Sequence, residues 1–384
     1  MIEIETRPIQ TTVPLVRPEG GTNLPGTSSI IFLNARRASS QRVERHRPVE
    51  GYRHASEFFH CGIIDRTQTL DQGFPYAVLD PIPEQKEDST TFGELCDTMG
   101  TEIVSKAIES SRGIRVLWSG GIDSTSALIS LMKASQAANR PDLLEVFYSS
   151  HSLAEYPSFY EQHIRDNYPS TMIDGQVAKT LDTRYINVTG EHGDQLFGSM
   201  VLEPYVKKGV AQQSYQDTLP GVVFDHLQDG KKTDQVMDYL EPQIQSAVMP
   251  VTTLFDALWW INYSMKWQHV TLRLPAFSDN ARGAYESLEH FFRDGRFQNW
   301  SLTHPEIRQV EDWRKYKDEA KRYILDYTGD IEYYNNKTKE GSLKNVMRGT
   351  NGDTPVSYRI HMTDNFQPRF IADDRSMPKQ QEFE

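Results

Sequence analysis

The run Val116-Leu117-Trp118-Ser119-Gly120-Gly121-Ile122-Asp123-Ser124-Thr125 holds the residue types that a polyphosphate site needs, in a usable order. Gly120 and Gly121 let the backbone turn tightly and approach an anion with no Cβ in the way. The residues after them open a helix, whose first N–H groups are unpaired and carry the positive end of the helix dipole. Ser119, Ser124 and Thr125 add hydroxyls. Asp123 cannot itself receive a phosphate, but an acid at that place makes sense if it holds Mg²⁺ that bridges phosphate oxygens. The loop is not a Walker A sequence, since no GK[ST] follows. Nor is it GxGxxG, so a nicotinamide or flavin site fits poorly.

A second acidic segment, Thr189-Gly190-Glu191-His192-Gly193-Asp194-Gln195-Leu196-Phe197-Gly198, follows the strand-like run Tyr185–Thr189. Acidic residues on two adjacent post-strand loops converge at the carboxyl edge of a parallel sheet, where ligands bind. The first motif, SGGIDS, resembles the pyrophosphate loop of the N-type ATP pyrophosphatases, the group of the asparagine, GMP, NAD and argininosuccinate synthetases. The second resembles the SGEGxDELFGG segment of asparagine synthetases and β-lactam synthetase, with His192 and Gln195 where Gly and Glu are usual.

This resemblance, over residues 92 to 345, implies an adenine nucleotide alpha hydrolase-like fold and an ATP- and Mg²⁺-dependent ligase. Such an enzyme adenylates a carboxylate, releases pyrophosphate and lets an amine form the amide. Ser119, Gly120, Gly121, Asp123, Ser124, Thr125 and Gly190 would then bind ATP, and Asp123 and Asp194 would hold Mg²⁺. Glu191 would sit at the reacting carboxylate as an acid–base or orienting group. Within Lys317–Leu343, Lys337-Thr338-Lys339-Glu340-Gly341-Ser342 is similar to R-P-K-x-G-F, which makes Lys339 the lysine that neutralises charge on the adenylate and pyrophosphate. Ser287-Leu288-Glu289 with Phe292-Arg293-Asp294 is similar to SLExRxPFLD but two residues short. Asparagine synthetases normally begin with a glutaminase domain whose nucleophile is a cysteine at position 2. Ile2 stands there, and the cysteines are Cys61 and Cys96. Residues 1–90 are also too short for such a domain, so the nitrogen is expected from ammonia, another amine or a group within the substrate.

The elements that must position these loops follow from pattern. Phe92, Leu95, Met99, Ile103 and Ile108 recur at helical spacing after a capping box of Thr90 or Thr91 with Glu94. Strands are expected at Ile114–Trp118, Leu143–Ser149 and Tyr185–Thr189, alternating with helices at Thr125–Ala138 and Phe159–Asn167. That alternation is the pattern of an α/β, doubly wound parallel sheet. Residues 234–328 read as a helical C-terminal part. Residues 1–90 read as a small N-terminal region with a strand at Ser29–Leu33, 91–345 as the synthetase-like domain, and 346–384 as an extended tail. Trp259, Tyr263 and Trp267, at i, i+4 and i+8, read as core packing.

The chain has 384 residues, 41 Lys and Arg against 53 Asp and Glu, and a formal charge of −12. That balance disfavours a general nucleic-acid partner, although the arginines between Arg36 and Arg53 would serve a base-modifying ATP pyrophosphatase. An accessory protein that binds nucleotide without catalysis is the third reading. No HExxH or CxxC marks zinc or redox chemistry. No stretch approaches the roughly 20 apolar residues of a membrane span, and the acidic start MIEIETRPIQ lacks the features of a signal peptide. A cytoplasmic enzyme acting on a small-molecule carboxylate is the expectation.

Overall fold

A computed structural model describes residues 28–173, 177–337 and 359–371. Its strands are β1 (Ile30–Leu33), β2 (Ile114–Leu117), β3 (Leu144–Tyr148), β4 (Ser170–Met172), β5 (Ile186–Thr189), β6 (Leu288–His290), β7 (Arg359–Thr363) and β8 (Pro368–Ile371). Five of them form a parallel sheet in the order β4-β3-β2-β5-β6. From β2 the chain steps outward to β3 and β4, then returns to the other side of β2 for β5 and β6. This is the strand order of doubly wound α/β sheets, and the β2–β5 boundary is its switch point. Leu117 and Thr189, the last residues of these two strands, are paired in register. The loops that begin at 118 and 190 therefore leave the sheet side by side.

The central strands are apolar because helices cover them: Ile114, Val116, Val146, Ile186 and Val188 are all buried. Helix Phe92–Glu109 starts with a capping box in which Thr91 Oγ1 accepts from the Glu94 amide and Glu94 accepts from the Thr91 amide. It packs against helix Ile122–Ala137. Phe92, Leu95, Met99 and Ile103 are buried, whereas Ile108, in the last turn, is 40% exposed. The expected helix at 159–167 is instead a single turn, Pro157–Phe159, running into a wider π turn, Tyr160–Ile164.

The C-terminal part is helical, with helices at Gly230–Gln245, Leu254–Met265, Trp267–Leu272 and Asp318–Thr328. The mostly helical reading of this part is met, with one exception in β6, a three-residue strand on the sheet edge beside β5. Helix Leu254–Met265 is mostly apolar and buried along its whole length, its polar Asp256, Asn262 and Ser264 included, as befits a helix at the centre of a core. Trp259, Tyr263 and Trp267 are fully buried, as their spacing indicated.

Residues 28–90 do not stand apart from this core. β1 pairs with β7, and β7 pairs with β8, so the segment expected as an extended tail completes a small antiparallel sheet with the N-terminal region. Gln268, on helix Trp267–Leu272, donates to the Ile31 and Ala77 carbonyls and accepts from the Leu79 amide. Arg66 is buried over the Tyr263 and Trp267 rings and donates to the carbonyls of Asp80, Tyr263 and Pro81 and to Gln298.

Candidate active site

A cavity of about 550 Å³ opens at the carboxyl ends of β2, β3 and β5. On the β2 side lies the loop 118–121. Gly120 has φ +78°, and a Cβ there would stand 2.5 Å from the Ser152 carbonyl oxygen, so the turn needs glycine. Gly121 is the N-cap of helix Ile122–Ala137 and supplies no side-chain cap. No side chain caps the first amides of that helix, the arrangement of an anion site. The loop's own groups bond one another. Ser124 Oγ accepts from the Ser119 amide at 3.1 Å, the two serine hydroxyls are 2.9 Å apart, and Ser119 Oγ accepts from the Gly121 amide.

On the β5 side, Gly190 lets the second loop touch the first: a Cβ on it would lie 2.4 Å from the Ser124 nitrogen. His192 follows with φ 76°, a left-handed conformation that favours glycine. This accounts for the glycine usual at that place in the resembled motif. The His192 ring is buried against Trp267, with Nε2 3.1 Å from Thr271 Oγ1, and burial holds its pKa well below the ordinary value. It is a neutral packing residue with one edge on the cavity.

The two loops deliver their acids to one point. Lys317 Nζ donates to Asp123 Oδ2 at 2.5 Å and to Asp194 Oδ1 at 2.7 Å, and its side chain is 1% exposed. Burial works against the ammonium, yet the two carboxylates outweigh it and its pKa is raised. Lys317 is the N-cap of helix Asp318–Thr328 and has φ 57°, a backbone strain that such sites tolerate. Its neighbour Tyr316 donates to Asp194 Oδ1 and to the Gly198 carbonyl.

Further along the cavity, Glu191 is clamped by Arg273, whose Nη2 lies 2.6 Å from Oε1 and whose Nε lies 2.8 Å from the same oxygen. Burial opposes the guanidinium charge, but Glu191 outweighs it and the Arg273 pKa is raised. Glu191 Oε2 is buried without a hydrogen bond, 3.6 Å from His290 Nδ1. Beyond it the wall is made by Lys266, His269 and His60. At the opposite end the wall is apolar, with Phe147, Ile173 and Val177.

Of the residues singled out from sequence, Ser119, Gly121, Asp123, Ser124, Gly190, Glu191 and Asp194 line this cavity, and Gly120 shapes its loop. Thr125 does not line it: its hydroxyl is buried, accepting from Trp118 Nε1 at 3.0 Å, and so holds the strand end rather than a ligand. Lys339 lies outside the described residues. Lys337 lines the cavity, paired at 3.0 Å with Glu155 in a buried contact. Sequence reasoning missed Lys317, Arg273 and Lys266. Each lies far in the chain from the SGGIDS and TGEHGD loops, and the fold brings it to them.

Two carboxylates with serine hydroxyls beside them match what Mg²⁺ takes from a protein, the rest of its shell being water and phosphate oxygens. Among the described residues, no group of three or more His, Cys, Asp and Glu side chains is arranged to hold a metal. Also among the described residues, no helix is long and apolar enough to cross a membrane. No protein-family model matches the chain, and no curated protein matches it.

Proposed function

We propose that this chain is an ATP- and Mg²⁺-dependent ligase with an adenine nucleotide alpha hydrolase-like fold, related to the synthetase domain of asparagine synthetases. It activates a small-molecule carboxylate with release of pyrophosphate and passes it to ammonia or another amine. The observation that carries this reading is the convergence of Asp123 and Asp194, from the SGGIDS and TGEHGD loops, on the buried ammonium of Lys317 at the sheet's switch point. A carboxylate is a poor electrophile until it gains a good leaving group; its attack on the α-phosphorus of ATP would expel pyrophosphate and give an acyl-adenylate, from which the amine would displace AMP as it forms the amide.

The residues of this chain have distinct parts in that reaction. The amides of Ser119 and Gly121, the hydroxyls of Ser119 and Ser124 and the uncapped helix end receive the β and γ phosphates. Asp123 and Asp194 would hold the metal. Lys317 is the fixed cation set against charge that accumulates at phosphorus, the part that resemblance gave to Lys339. Phe147, Ile173 and Val177 form the apolar wall that suits a base. Glu191, kept in place by Arg273 at the cavity wall, would accept the proton of the incoming amine or orient its N–H. Cys61 and Cys96 are both buried, and burial raises the pKa of each thiol, which disfavours the thiolate that glutamine hydrolysis needs.

The base-modifying alternative leans on the arginines between Arg36 and Arg53. They are partly spent on the fold: Arg37 is buried and Arg53 donates to the Ser39 carbonyl. The test is AMP and pyrophosphate formation across a panel of amino acids and other carboxylates, with and without ammonia. AMP that appears only with one carboxylate class supports the ligase. AMP that requires a nucleic acid, with no response to any carboxylate, would replace it with the base-modifying reading.

A further inference from the structure

The Asp123–Lys317–Asp194 contact sets a condition on how the site takes up its metal. Resting on the ligase reading, we propose that Lys317 is the resident counter-ion of the two carboxylates. A divalent cation reaches them only as a complex with polyphosphate, never as the free ion.

Both carboxylates already have a cation at hydrogen-bond distance, and its ammonium is buried. A free divalent ion entering beside the lysine would place three positive charges against two negative ones around an ammonium that is itself only 1% exposed. Entering in place of the lysine, it would strand a buried ammonium, because among the described residues only Asp123 and Asp194 form ion pairs with Lys317. A polyphosphate removes both obstacles at once. Its oxygens complete the metal shell that two carboxylates begin, and its remaining negative charge gives the displaced ammonium a new partner. The acceptor is close by: Ser124 is in the same helix turn as Asp123, and helix Ile122–Ala137 has no side-chain cap of its own. Tyr316, bonded to Asp194 and to the Gly198 carbonyl, keeps the carboxylate in place while the cations exchange.

Mn²⁺ titration followed by the electron paramagnetic resonance of the free ion tests this without turnover. Wild-type protein alone is expected to leave the Mn²⁺ free. With inorganic tripolyphosphate it should retain one Mn²⁺ beyond what the tripolyphosphate holds by itself, and Asp194→Asn should lose that ion. Lys317→Met should bind one Mn²⁺ without any phosphate, on the order of a hundredfold more tightly than wild type, while Lys317→Arg behaves as wild type. Phosphate-free wild type binding Mn²⁺ as tightly as Lys317→Met, or a folded Lys317→Met with no gain, overturns the proposal. Should Lys317→Met not fold, wild type and Lys317→Arg decide. Phosphate-free binding in either that Asp194→Asn abolishes counts against the proposal, and binding seen only with tripolyphosphate supports it. The ligase reading fails separately, by absence of carboxylate-dependent AMP formation, and the titration reads the same either way.

Discussion

Arg66 and Lys317 are both buried cations, one in the helical core and one at the sheet edge, and they are held in opposite ways. Arg66 gives its N–H groups to carbonyls and to Gln298 and lies over two aromatic rings; its pKa is lowered by burial. Lys317 is held by two carboxylates from different loops, and its pKa is raised. Neutral carbonyls belonging to the backbone cannot be exchanged for another ligand, so Arg66 joins the N-terminal region permanently to helix Leu254–Met265. Two carboxylates at the end of a cavity can take a different cation, so Lys317 is held in a form that chemistry can use. The difference separates a cation that stabilises the fold from one that serves the site.

Substitutions can break this contrast. The largest effect is expected from Asp123→Ala and Asp194→Ala, which should lower ATP–pyrophosphate exchange per folded molecule by at least about a thousandfold. Lys317→Ala should cost about 100- to 1,000-fold in turnover, with ATP binding affected less. Equal losses in both would make the lysine a binding residue only. Glu191→Gln keeps the shape of the side chain and removes its charge, and should lower amide formation by about 10- to 100-fold, measured as product at saturating amine.

Arg66→Met should do the reverse of these. It leaves several carbonyls and Gln298 without a donor and is expected to destabilise the protein by about 3 kcal/mol, read from urea unfolding, while the folded fraction keeps its exchange rate. If exchange per folded molecule falls as far as it does in Lys317→Ala, the contrast is wrong. The smallest effect concerns pH. Burial, aided by Arg273 and Lys266, pushes the His269 imidazole down to about 3. The folded protein therefore refuses a proton that the unfolded chain accepts below its ordinary value of about 6.5. Stability from this group is complete above that value and falls with acidification at up to about 1.4 kcal/mol per pH unit. His269→Gln should flatten the dependence of unfolding free energy on pH between 6 and 4, and an unchanged slope would place the proton uptake elsewhere.

The strand–loop–helix unit around SGGIDS was legible because its cues are local. Glycines at a turn, an apolar strand before it and a helix after it all lie within a dozen residues. The sheet order needed the alternation of strands and helices, which the sequence also carries. β6 escaped because three residues, Leu288–His290, carry too little periodicity to stand out between helices. Thr125 was misjudged for a related reason. Its hydroxyl sits in the motif, but helix geometry turns it inward to Trp118. Lys317 was invisible in its role, since no spacing rule links it to loops 123 and 194 residues earlier. Its place follows from packing of helix Asp318–Thr328 against helix Ile122–Ala137. The union of β1 with β7 and β8 likewise joins segments more than 300 residues apart, a pairing that no local pattern announces.

Carboxylate-dependent ATP–pyrophosphate exchange in wild type, Asp194→Ala and Lys317→Ala tests the central claim most directly, with folding of each variant verified by its melting curve. The account predicts exchange in wild type with one class of carboxylate and its loss per folded molecule in both variants. Exchange that persists in both folded variants would contradict it, because the point where the two loops meet would then not be where the phosphorus reacts.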